Sequence, residues 1–142
     1  MGSYTELNIS VNLELDDNTR KVLEFMVGDR EEMDFTIPSH PLFESNAGRW
    51  KGMLYCDSFY FSHTAGSSLV NRLSWREPDS TERVLNVRCD LKNYDDEINK
   101  FLDWIRPYSI TRGFIGYTRF EEAEDPTLIY FNDEGFEFKE LK

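Results

Sequence analysis

From residue 5 to residue 15 apolar and polar side chains alternate. Leu7, Ile9, Val11, Leu13 and Leu15 fall on one face, and Asn8, Ser10, Asn12 and Glu14 on the other. A period of two over this length predicts a strand buried on one side only. Asp16, Asp17, Asn18 and Thr19 follow, residue types that cap helix N-termini. The spacing of Val22, Leu23, Phe25 and Met26 then predicts a helix over 19–27, with Gly28 placed to end it. The second clean alternation runs from Val84 to Leu91. Leu85, Val87, Cys89 and Leu91 point one way, and Asn86, Arg88 and Asp90 the other. Asp95 is the expected N-cap of a second helix, on which Ile98, Phe101, Leu102 and Ile105 form an i, i+3, i+4, i+7 stripe and after which Pro107 stops the pattern.

Between and after these segments the signals are shorter. Residues 29–48 hold a charged start, Arg30-Glu31-Glu32, and two prolines, Pro38 and Pro41, which forbid a long regular element. This is the longest irregular stretch and a candidate functional loop, with Leu42, Phe43 and Ile37 expected to tuck against the core. Residues 50–56 and 59–61 read as strands about a turn at Asp57-Ser58. A turn at 64–68 leads into a strand over 69–75, and Glu77-Pro78-Asp79-Ser80 is a further turn. Residues 113–120 and 127–131 read as two strands around Glu121-Glu122-Ala123-Glu124-Asp125-Pro126, with a last short strand at 136–138.

Both alternating strands lead through paired aspartates into a helix, and each helix leads into an aromatic-rich hairpin. The element order reads as a tandem β-α-β-β repeat in a single domain, residues 1–75 and 80–142. Hairpin-linked strands with both helices on one face make a two-layer α+β sandwich of ferredoxin-like type, with a mostly antiparallel, extended sheet. In its order of elements the chain resembles the gyrase-inhibitory-protein-like superfamily of small-ligand and protein binders. The resemblance covers most of the chain, carries no motif residue across, and implies a binding module.

Composition narrows the classes of function. Hydrophobic residues make up 39% and aromatic residues 15% of the 142, enough for a folded core without metal or disulfide. The formal charge is −11. Such a chain is poorly suited to grip nucleic-acid phosphates or an anionic membrane surface. No run approaches the ~18 apolar residues of a membrane span. Residues 1–6 show no basic region followed by an apolar run, so the expected compartment is the cytoplasm. Cys56 and Cys89 are then expected to be free thiols. The two cysteines and two histidines show no metal-ligand spacing, and no phosphate-binding or nucleophile-elbow motif occurs; neither cofactor nor metal is expected.

Candidate chemistry is sparse. His63 with Ser67 and Ser68 reads as a polar turn rather than a base and nucleophile, and His40 as a surface loop residue. Glu121, Glu122, Glu124 and Asp125 form the densest acidic run, able to face a basic partner or to serve as a solvated hairpin tip. Trp50 and Tyr117 are the aromatics that would line a ligand pocket; otherwise these rings are core. Residues 1–48 carry net −7, residues 49–112 net +1 and residues 113–142 net −5. If the chain ends lie together, acid concentrates on one side and steers a basic protein. The expected function is a non-enzymatic, inhibitor-like or immunity-like binding protein with a basic partner; the alternative is a small-molecule-binding domain with an aromatic-lined pocket.

Overall fold

The structure, a computed structural model, describes residues 4–44, 46–55, 62–73, 75–93 and 96–140. The first alternating segment forms β1, Thr5–Glu14, and the second forms β4, Glu82–Leu91. They pair antiparallel over all ten residues, from Thr5↔Leu91 to Glu14↔Glu82. Opposite residues of an antiparallel pair share a face, so this register brings the two apolar sets into one surface. Leu7, Ile9, Val11, Leu13, Leu85, Val87, Cys89 and Leu91 are all buried, and all join one core with the apolar stripes of both helices.

The helix α1, Asp17–Met26, begins at Asp16, whose Oδ1 accepts from the Thr19 N–H at 2.8 Å. It buries Val22, Leu23 and Met26. Gly28 ends it with φ +91°, and the Tyr55 ring lies so close that a Cβ at this position would be 2.5 Å from it. The helix α2, Glu97–Ile105, buries Ile98, Phe101, Leu102, Trp104 and Ile105. Asp95 lies outside the described residues. The N-cap position is Asp96, whose side chain makes no capping hydrogen bond; the first-turn N–H of Ile98 donates to Asn93 Oδ1 at 3.0 Å. Pro107 sits in a single 3-10 turn, Arg106–Tyr108, that follows directly.

The remaining strands are β2 (Ser62–Ala65), β3 (Ser68–Val70), β5 (Gly113–Phe120), β6 (Thr127–Phe131) and β7 (Phe136–Glu140). The sheet order is β2-β4-β1-β5-β6-β7, all antiparallel, with β3 also on β4. β2 and β3 therefore occupy one position, an edge strand interrupted at residues 66–67. β1 runs parallel to that edge with β4 between them, and β4 runs parallel to β5 with β1 between them. These two split β-α-β units are the ferredoxin-like arrangement, extended by β6 and β7. No helix among the described residues is long and apolar enough to cross a membrane.

Four local expectations are corrected. Residues 64–68 are not a reversing turn: Gly66 N–H donates to Arg88 O at 2.7 Å, and the chain continues along β4 in one register, from Ala65↔Cys89 to Ser68↔Asn86. Residues 50–55 are not a strand. A 3-10 helix spans Asn46–Gly52, and Trp50, Met53 and Leu54, all buried, stand at i, i+3 and i+4, a helical spacing. The strand from Leu69 ends at Val70. Asn71 Oδ1 accepts from the Leu73 N–H at 3.0 Å, an Asx turn that bends the chain and leaves Trp75 exposed. Ile37 is also exposed, whereas Leu42 is buried and Phe43 packs edge-on against Trp50 and Trp104. The turn and strand read at 57–61 lie outside the described residues, as does Cys56.

Gly116 is where β5 meets the centre of the sheet. A Cβ there would lie 1.9 Å from Asn8 O and 2.7 Å from Ile9 Cα, both backbone atoms of β1. Gly116→Ala should therefore cost about 2–3 kcal/mol through a forced backbone shift. Gly66→Ala, where a Cβ meets nothing within 4 Å, should be neutral within about 0.5 kcal/mol. Urea unfolding of the two variants checks the contrast. Val87→Asp puts an unpaired carboxylate at a fully buried site and should cost more than about 4 kcal/mol, read as loss of the cooperative thermal transition.

Candidate functional site

The helices cover one face of the sheet. On the other face the outward residues of β1, Glu6, Asn8, Ser10, Asn12 and Glu14, are half-buried or exposed. The registers set Arg88, Asn8, Tyr117, Leu128 and Lys139 in one row across β4, β1, β5, β6 and β7. Next to it, Asp90, Glu6 and Arg119 form a charged row, with Arg119 Nε 3.9 Å from Glu6 Oε1. On the other side of the first row, the exposed Phe114 packs edge-on against Tyr130, and the Lys139 ammonium lies 4.5 Å from the Tyr130 ring centre. A shallow, open depression of about 480 Å³ lies among Glu6, Asn8, Arg88, Asp90 and Tyr117. The uncovered face is thus polar and charged over β4 and β1, and aromatic over β5 and β6.

At one end of this face is the acidic segment. Glu121, Glu122, Glu124 and Asp125 are exposed in the turn joining β5 to β6. Tyr4 anchors the turn: its N–H donates to Glu121 Oε1, and the Glu121 N–H donates to Tyr4 O at 2.9 Å. Glu124 and Asp125 make no ion pair among the described residues. Glu6 and Asp90 adjoin the tip, because Thr5 pairs with Phe120 and Leu91.

The structure separates the two aromatics singled out from sequence. Tyr117 lies in the depression on the uncovered face. Trp50 is 2% exposed on the helix side, ringed by Phe25, Phe35 and Phe43. The two share no pocket. Part of the acid in residues 1–48 is neutralised locally: Arg20 bridges Asp17 and Glu24, and Arg30 bridges Glu24 and Asp34. The Arg20 hydrogen bond holds the Asp17 carboxyl below its usual range. Exposed acid remains both in that segment, at Asp29, Glu31 and Glu32, and at the β5–β6 tip, where four carboxylates stand within five residues.

Several polar residues not singled out from sequence serve the scaffold. Glu97 is 1% exposed and ion-paired with Arg49, which also donates to Lys92 O at 2.7 Å. The pair ties the 3-10 segment to the start of α2. Arg106 is buried over the Phe131 ring and donates through Nε to Asn132 O at 2.7 Å and Gly135 O at 3.0 Å. It thereby holds the β6–β7 turn against the end of α2. His40 is half-buried rather than a free surface residue. Its Nδ1 accepts from the Leu42 N–H at 3.0 Å, which leaves Nε2 to donate to Asp103 Oδ2 at 2.9 Å. Ser67 Oγ accepts from the Arg88 N–H at 3.3 Å, within the interrupted edge. No group of three or more His, Cys, Asp or Glu among the described residues is placed to hold a metal ion.

Protein families, curated proteins and solved structures were all compared with this chain, and none matches it.

Cys89 is a free thiol, buried beneath the depression, and burial pushes its ionisation far above the ordinary thiol range. The thiolate is the reactive form. Cys89 should therefore resist alkylation at pH 8 in the folded protein and react once the chain is unfolded, as peptide mapping by mass spectrometry would read. The same shift gives a sign for stability. The unfolded thiol ionises from about pH 9 and the folded one does not, so stability should fall as pH rises above 9.

Proposed function

We infer that this chain is a non-catalytic binding protein that presents the β5–β6 acidic tip and the adjoining uncovered sheet face to a basic partner protein. The observation carrying this reading is the tip itself. Glu121, Glu122, Glu124 and Asp125 project to solvent from a turn tied down through Tyr4. A rigidly held cluster of like charge attracts an opposite charge over roughly a Debye length, about 8–10 Å, and steers encounter more than it adds contact energy. Compartment and partner identity belong to the same reading: a cytoplasmic binder acting as an inhibitor or immunity factor against a basic protein.

The shape of the neighbouring face favours a large partner. The depression beside Tyr117 is shallow and open, whereas a drug-sized ligand is ordinarily engulfed over most of its surface. The burial of Trp50 on the far side of the sheet weighs against an aromatic pocket shared with Tyr117.

Capture of a partner from a host lysate tests the reading. The variant carrying Glu121→Gln, Glu122→Gln, Glu124→Gln and Asp125→Asn should melt within a few degrees of the unaltered protein, because exposed charges contribute little to stability. Its affinity should be weaker by about tenfold, and raising salt should weaken the unaltered complex by a similar factor through the association rate. A captured protein whose affinity ignores both changes would overturn the proposal. A partner lost on Tyr117→Ala but kept by the neutralised tip would favour the small-ligand surface instead.

A further inference from the structure

The two edges of the sheet differ. One is the β2/β3 position, two short strands with a bulge between Ser62 and Thr64, and short, bulged edge strands are a usual protection against edge-to-edge pairing. The other is β7, five unbroken residues, Phe136-Glu137-Phe138-Lys139-Glu140, paired only with β6 among the described strands. Asn132 N–H donates to Gly135 O at 2.9 Å, which makes this the hydrogen-bonded pair nearest the turn. Antiparallel pairs alternate between bonded and non-bonded. The backbone groups of Glu137 and Lys139 therefore face β6, and those of Phe136, Phe138 and Glu140 face the free edge.

The geometry points to a two-fold homodimer in which β7 pairs antiparallel with β7 of a second copy, centred on Phe138. In that register Phe138 lies opposite its counterpart and Phe136 lies opposite Glu140. All three outward-facing residues then exchange backbone hydrogen bonds. Glu137 lies opposite Lys139 of the second copy, and Lys139 opposite Glu137, so each two-fold contact makes two cross-strand charge pairs. Centring one residue either way sets Glu137 against Glu137 or Lys139 against Lys139, and a half-residue shift mismatches the faces of the two sheets. Charge and pleat thus select a single self-complementary register, as a two-fold interface requires.

The side chains suit this occupant. Glu137 and Lys139 are exposed on the uncovered face, and Lys139, which lies over the Tyr130 ring in the single chain, is long enough to reach across the edge in the dimer. Phe138 is 39% exposed on the helix side, in edge-on contact with Phe136 at 5.7 Å. Pairing covers that ring with its own copy. Arg106 holds the β6–β7 turn, so the edge is presented already formed. The two acidic tips end at opposite ends of the joined sheet, and the proposal stands whether or not those tips bind a basic protein.

Sedimentation of the full chain from micromolar to millimolar concentration tests the dimer. The unaltered protein should reach twice the 16.8 kDa chain mass. Glu137→Lys and Lys139→Glu each place like charges opposite one another at two positions and should each weaken dimerisation about tenfold or more. The exchange variant carrying both substitutions restores opposite charges and should recover the dimer. All three alter exposed side chains, and an unchanged thermal melt at monomeric concentration confirms folding. A protein that stays monomeric through the millimolar range overturns the proposal. So do single variants that dimerise as well as the unaltered chain, and an exchange variant that is folded but does not recover.

Discussion

The ten-residue pairing of β1 with β4 is the constraint on which the rest depends. Each strand alone has one apolar face. Only a register that puts odd-numbered residues of β1 opposite odd-numbered residues of β4 makes those faces one surface, and Thr5↔Leu91 through Glu14↔Glu82 does so without a bulge. A slip of one residue would turn Leu7, Ile9, Val11 and Leu13 to solvent together, each Leu or Ile forfeiting about 1.5–3 kcal/mol of burial. Once that pair is set, both helices have a floor to pack on, and β5 takes the other side of β1.

The same alternation gives the protein its second surface. Residues excluded from the core, among them Asn8, Asn86 and Arg88, are gathered on the face that no helix covers. Gly116 lets β5 approach β1 closely enough to carry Tyr117 and Arg119 onto that face beside Asn8 and Glu6. The acidic tip follows directly from Phe120, the last residue of β5. Tip, depression and aromatic patch are consequences of one sheet read from its back.

The legible parts of the chain were those with sustained periodicity. Both long strands, both helices and the β5, β6 and β7 strands lie within a few residues of where their patterns place them. What failed was short. Trp50, Met53 and Leu54 have a helical spacing that three residues cannot announce among aromatic neighbours. At 64–68 a Gly-Ser-Ser run promises reversal, but the donor on Gly66 found a carbonyl of β4 instead. Trp50 and Tyr117 looked alike in sequence. Only the register, which assigns Tyr117 to the row of Asn8, put them on opposite sides of the sheet. The roles of Arg106 and Glu97 depend on partners 26 or more residues away, and no local pattern reports such pairings.

The central place of β1 also orders events during synthesis. β1 leaves the ribosome first, yet its neighbours are β4 and β5, made some 70 to 110 residues later. Until then a strand with four apolar side chains and two open edges has no native strand to pair with. Such long-range pairing is slow to form, and an unpaired apolar strand is prone to the wrong neighbour. The polar alternates Asn8, Ser10, Asn12 and Glu14, spaced through the strand, keep the nascent segment half hydrophilic during that wait.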